Sequence, residues 1–245
     1  MNAIVPPLSG MACDACAIRN RAICADLRAD ELDILNRLGR RRRLRGGEQL
    51  LWEGEEAVLV ANVVDGVLKL STQTGDGKEQ ILGLAYHSDF LGRPFGETTP
   101  YGVEALTDAT VCVFQQRDFD QFARTHPRLE HKLLERTLAE LDRTRRWMLL
   151  LGRMNAEQKL AHFLLELADS LDQTCSKTQD AHVAFNLPLS RQQIADVLGL
   201  TIETVSRQLT RMRKEGLIDL PARRKVTILQ HRALEDRAGM AVQNG

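Results

Sequence analysis

Leu189-Ser190-Arg191-Gln192-Gln193-Ile194-Ala195-Asp196-Val197-Leu198-Gly199-Leu200-Thr201 is the stretch that decides the fold of the C-terminal half. Ser190, followed three positions later by Gln193, is a capping box, in which two side chains satisfy two otherwise orphaned backbone N–H groups, so a helix starts there. Ile194, Val197 and Leu198 give that helix one apolar face. Gly199 stands where a left-handed C-cap is wanted. Thr201 then caps a second helix running to about Lys214, with Val205, Leu209 and Met212 turned inward. A short helix, a tight glycine turn and a second helix make a helix-turn-helix. The second helix turns Glu203, Ser206, Arg207, Thr210 and Arg211 outward. Such side chains suit base edges: arginine can bond guanine bidentately, glutamate can accept from the cytosine amino group, and serine can reach several bases. After Gly216, Leu217–Leu220, the basic tip Pro221-Ala222-Arg223-Arg224-Lys225, and Val226–Leu229 read as a hairpin wing suited to phosphate contacts.

Charge agrees once it is read locally. The chain holds 33 Lys+Arg and 33 Asp+Glu, a formal net charge of zero. Residues 1–125 nevertheless carry 14 basic and 18 acidic side chains, and residues 126–245 carry 19 and 15. Within 191–225 eight basic residues face four acidic ones. Apolar runs such as Trp147–Leu151 stay far below the roughly 18 residues of a membrane span, and the N-terminus has no basic segment leading into an apolar stretch. The expectation is a cytoplasmic protein with no membrane partner.

Upstream, Ala29–Leu38 reads as an amphipathic helix, and Arg40–Arg43 as a solvated face or the start of a strand. From Glu48 to about Phe119, β-prone segments (58–64, 67–72, 79–84, 103–106, 110–114) alternate with glycine turns, the pattern of an antiparallel barrel or sandwich. From Pro127 the period becomes helical. Leu134, Leu141 and Met148 recur every seven residues, with Leu138 and Leu151 on the same side, which suits a dimerisation seam or burial against the chain's own barrel. A helix over 156–171 and a polar linker over 172–180 follow.

Of five cysteines, three fall in one arm, Cys13-x2-Cys16-x7-Cys24. An odd count without a secretion signal argues against a disulfide framework. The close pair can chelate one centre, and thiolates suit zinc or the irons of an iron–sulfur cluster. Three ligands leave a four-coordinate site one short, with Cys112 and Cys175 as candidates for the fourth. Redox catalysis by Cys13 and Cys16 would want that pair at a helix start after a strand, and the six histidines show no catalytic spacing, so no enzymatic activity is expected.

The order of β-rich half, long helix and helix-turn-helix, with Asn155-Ala156-Glu157-Gln158-Lys159-Leu160-Ala161 between the last two, resembles the CRP/FNR superfamily of bacterial transcription regulators over nearly the whole chain. Glu203-x-x-Ser206-Arg207 matches the recognition signature of the FNR-type branch, and the cysteine arm resembles its FnrN/FnrL/FixK-like members. The resemblance implies an α+β fold: an antiparallel β-roll of the cyclic-nucleotide-binding kind, a long dimerisation helix and a C-terminal winged helix-turn-helix. It divides the chain into a cysteine arm (1–28), β-roll (29–125), dimerisation helix (126–153), DNA-binding domain (154–232) and tail (233–245). It also implies a 4Fe–4S cluster on Cys13, Cys16, Cys24 and Cys112, broken down by oxygen. The last ligand follows from the likeness of Ala105-Leu106-Thr107-Asp108-Ala109-Thr110-Val111-Cys112 to the segment that completes the set in that branch. The cluster-loaded homodimer would bind double-stranded DNA at TTGAT-type palindromes through Thr201, Glu203, Ser206, Arg207 and Arg211, act with RNA polymerase, and serve oxygen-limited metabolism. A structural zinc on the same thiolates is the alternative. Arg146 stands where some members carry an acidic residue opposing dimerisation. The stretch 90–101 lacks the Arg-Ser pair that holds a cyclic phosphate, so cAMP is not expected as effector.

Overall fold

The computed structural model describes residues 13, 16–75, 77, 79–171 and 182–239. The linker at 172–180, Cys175 within it and the residues beyond 239 lie outside that set. The chain forms two compact units, Met1–Asp142 and Arg143–Gly245.

In the first unit, α1 (Ala29–Leu38) occupies the expected span, with Leu32 and Leu35 buried. Its start is closed by the Arg28 backbone N–H, which donates to Glu31 Oε2 at 2.8 Å. Among the described residues eight strands follow: β1 (Arg40–Leu44), β2 (Gln49–Leu51), β3 (Leu59–Asp65), β4 (Leu68–Gln73), β5 (Glu79–Ala85), β6 (Phe90–Leu91), β7 (Gly102–Ala105) and β8 (Ala109–Gln115). They make two antiparallel four-stranded sheets, ordered β1-β8-β3-β6 and β2-β7-β4-β5. The five β-prone segments of the sequence are β3, β4, β5, β7 and β8; β1 takes the strand alternative left open for Arg40–Arg43, and β2 and β6 are additional. The arginine run is a strand because it pairs with β8, Arg41 opposite Cys112.

Period-2 alternation divides β3 and β8 between two apolar clusters. Ala61, Val63, Ala109 and Val111 face the interior of the roll with Leu68, Val103 and Ala105. Val60, Val64 and Phe114 face outward onto a second cluster, built with Ile18, Ile23 and Leu27 of the N-terminal segment and Leu32 and Leu35 of α1. That outer cluster continues into α2 (Gln116–Thr125), whose first turn lies in the stretch expected to be β-rich, through Phe119, Phe122 and Ala123. It ends on Leu129 in the first turn of α3 (Pro127–Arg153). Within the first unit, burial against the barrel does not explain the seven-residue stripe of α3, since Leu134, Leu138 and Leu141 are 42–55% exposed; Met148 and Leu151, in the second unit, are exposed as well. The two units divide within α3.

In the second unit, α4 (Ala156–Leu171) is followed by β9 (Val183–Asn186), α5 (Arg191–Leu198), α6 (Ile202–Lys214), β10 (Ile218–Ala222), β11 (Lys225–Ile228) and α7 (His231–Ala238). The wing hairpin β10–β11 gains β9 as a third strand on the far side of β11, absent from the sequence reading. The expected break at 232 falls inside α7, whose Leu234 and Ala238 are buried, so residues 233–238 are folded helix and not tail. Among the described residues no helix is long and apolar enough to cross a membrane.

Candidate functional site

The pleat of β8 decides where Cys112 points. Val111 and Val113 pack toward the roll interior, so Cys112 and Phe114 between and beyond them face the outer cluster. On the same cluster lie Cys24, buried within it, and Cys13 and Cys16, packed against it. All four are thiols without disulfides. Gly39, at the turn from α1 into β1, permits the approach: a Cβ there would lie 2.8 Å from the Phe114 ring and 3.4 Å from Cys112 Sγ.

The arm carrying the first three cysteines is pinned by Arg19. Its guanidinium donates to the carbonyl oxygens of Cys24, Ala25 (2.8 Å) and Leu27 (2.9 Å). Cys13 Sγ lies 3.2 Å from Asn36 Oδ1 of α1. Burial pushes the Cys24 thiol up to about 11, partly offset by the Arg19 charge and reinforced by Cys13 and Cys16. Burial, followed by the charges of Cys13, Cys16 and Cys24, pushes Cys112 up to about 12. Ionising the buried Cys24 and Cys112 thiols is therefore unfavourable without a compensating cation. Among the described residues no three Cys, His, Asp or Glu side chains are arranged to hold a single metal ion. The donor chemistry, four soft ligands on one patch, nevertheless fits a thiolate-bound group.

The second region is the outward face of α6. Ser190 Oγ accepts from the Gln193 N–H at 3.2 Å, and the Ser190 N–H donates to Gln193 Oε1 at 2.9 Å, the reciprocal box expected from the sequence. Gly199 adopts φ 61°, ψ 44°, a conformation that favours glycine, and lets the chain turn into α6. Lys159 of α4 donates to the Leu198 carbonyl at 3.2 Å, placing a cation at the C-terminus of α5. Thr201 Oγ1 caps α6 by accepting from the Thr204 N–H at 3.2 Å. Val205, Leu209 and Met212 seat α6 inward, as expected.

Outward, Ser206, Arg207, Thr210, Arg211 and Lys214 line a shallow surface groove. Glu203 is exposed, and its carboxyl is held below the usual carboxylate range by its own backbone N–H and by the Thr201 hydroxyl. Arg191 of α5 donates to Ser206 Oγ at 3.2 Å. Arg207 is exposed and makes no ion pair among the described residues, whereas Arg211 bonds Glu215 Oε1 at 2.9 Å and lies 3.5 Å from Glu157 Oε2. At the wing tip Arg223, Arg224 and Lys225 are exposed together.

Residues 158–237 match the family description "Crp-like helix-turn-helix domain", and residues 41–126 match "Cyclic nucleotide-binding domain". The transcriptional activator protein FnrL of Cereibacter sphaeroides is 39% identical over 227 residues, 93% of this chain and 92% of that protein. The chain belongs to the CRP/FNR family of transcription regulators. A probable transcriptional activator of Rhizobium leguminosarum bv. viciae is 42% identical over 219 residues, 89% of each chain. Among solved structures, that of FixK2 from Bradyrhizobium japonicum has a TM-score of 0.71 at 29% identity, over 81% of this chain and 96% of that one.

The chain is thus a helix-turn-helix transcription regulator and not an enzyme. The outer cluster gathers the four cysteines that the sequence singled out, and Cys175 lies outside the described residues. Sequence reasoning missed Arg19, whose role rests on three carbonyls within its own loop. It also missed Lys132, which joins α3 to Asp26 of the arm at 3.2 Å.

Proposed function

We propose that this protein is an oxygen-responsive transcriptional activator whose Cys13, Cys16, Cys24 and Cys112 hold a 4Fe–4S cluster. One observation carries the reading: Cys112 of β8, far off in sequence, lies on the same apolar cluster as the three arm cysteines, and that cluster also receives Leu129 and Leu133 of α3. The relatives named FnrL and FixK support it. When bound, the group supplies oxygen-labile iron–thiolate chemistry. The protein's own residues hold the arm, through Arg19, and back it with the start of α3. Tying the arm down then biases a two-state equilibrium of that helix toward pairing.

The partner in pairing is a second copy of the chain, meeting along Leu134, Leu138, Leu141, Met148 and Leu151, all exposed on α3. The cytoplasmic homodimer presents two α6 helices to a TTGAT-type palindrome, where Thr201, Glu203, Ser206 and Arg207 face the duplex, and it acts with RNA polymerase at genes for oxygen-limited metabolism. The stretch 90–101 lacks an Arg-Ser pair for a cyclic phosphate, so cAMP is not assigned as effector.

Anaerobic purification followed by iron, sulfide and zinc analysis tests the cofactor. The expected protein is brown, with broad absorption near about 400 nm and sulfide matching iron. A colourless protein with one zinc per chain would replace this reading with a zinc-stapled regulator using the same thiolates.

A further inference from the structure

A closed ring of four charges ties three helices of the DNA-binding unit together. Glu157, in the first turn of α4, pairs with Arg211 of α6 at 3.5 Å and with Arg237 of α7. Glu215, just after α6, completes the ring by bonding Arg211 Nε at 2.9 Å and Arg237 Nη1 at 2.9 Å. Each cation thus meets both anions. Glu157 is the most sheltered member, its side chain 18% exposed against 53% for Arg211. Its backbone is fixed as well, because Asn155 Oδ1 accepts from the N–H groups of Glu157 and Gln158, both at 3.0 Å. An anchored carboxylate at the start of α4 therefore grips the last turn of α6 from its side.

Arg211 lies one turn beyond Arg207 on that helix, yet the two differ in state. Arg207 is unpaired among the described residues, while the Arg211 guanidinium already satisfies two carboxylates. Moving it to a DNA phosphate would break both of its pairs and leave Glu157 and Glu215 to Arg237 alone. We infer that Glu157 is a positioning residue for sequence reading: it holds Arg211 as a strut that fixes the seat of α6 on α4 and α7, and so keeps Arg211 out of the phosphate-contacting set. This revises the direct DNA contact expected of Arg211 and rests on α6 being the helix that reads bases.

The test measures affinity of the anaerobically purified full-length protein for a TTGAT palindrome and for a scrambled duplex of equal length, across a salt series. Glu157→Gln and Arg211→Gln should each lower the preference for the palindrome by about tenfold, and the double variant should lose no more than either single one. The salt slope on the scrambled duplex should stay at the wild-type value in Arg211→Gln. Arg207→Ala serves as the control for the reading itself and should reduce the preference independently. If Arg207→Ala changes nothing, it is the assignment of α6 that fails. If Arg207→Ala acts but Arg211→Gln weakens both duplexes equally and flattens the salt slope by about one, Arg211 is a phosphate contact and the inference is overturned. An unchanged preference in Glu157→Gln overturns it too. Should Glu157→Gln melt early, Arg211→Gln, at an exposed position, still decides.

Discussion

Lys132 Nζ of α3 stands 3.2 Å from the Asp26 carboxylate, two residues beyond Cys24 in the arm and two before Leu134 in the exposed stripe. A charged contact thus runs beside the apolar one made by Leu129, and both connect the cysteine patch to the helix expected to pair. Partly exposed ion pairs contribute about 1 kcal/mol or less. Asp26→Asn should therefore raise the dimer dissociation constant of the metal-loaded protein by about two- to fivefold, read by sedimentation, with little change in the metal-free protein. An equal shift in both forms would show that the pair stabilises the fold without reporting the state of the arm.

Leu138 sits mid-stripe and is 52% exposed, so a charge there should be tolerated by the folded monomer. Leu138→Glu places two carboxylates against each other across a two-fold seam. The dimer dissociation constant should rise at least about 30-fold, while the melting temperature of the dilute monomer holds. Retained dimerisation would move the interface off this stripe.

Arg207 should behave as a base-reading side chain. Arg207→Ala is expected to weaken palindrome binding by roughly 1–3 kcal/mol and to relax selectivity at one position in each half-site. A uniform loss across all base substitutions would make it a phosphate contact instead.

Arg19 closes the loop that buries Cys24. Charged donors to carbonyl oxygens contribute more than neutral ones. In the metal-free protein, Arg19→Gln should speed alkylation of Cys24 about tenfold or more, followed by mass spectrometry of the labelled peptide. An unchanged rate would mean that packing alone protects the thiol.

The helix-turn-helix was legible because its signals are local: Ser190 with Gln193, Gly199 and Thr201 each act within one or two turns. The face of Cys112 was not, because a lone cysteine in an apolar strand reads as core until the register shows Val111 and Val113 on one side and the arm on the other. Four consecutive arginines carry no alternation, so β1 exists only through its pairing with β8. β9 and α7 are likewise made by partners far off in sequence, β11 and α4. The charge ring joins residues 157, 211, 215 and 237, a separation no spacing rule spans.

The proposed control of DNA binding by oxygen at the four thiols is tested by one titration of a TTGAT palindrome with anaerobically purified protein, repeated on the same sample after exposure to air. Specific binding is expected without oxygen, with a loss of at least about tenfold in affinity after air, in step with the loss of absorption near about 400 nm. Equal affinity before and after, with the absorption gone, would contradict it.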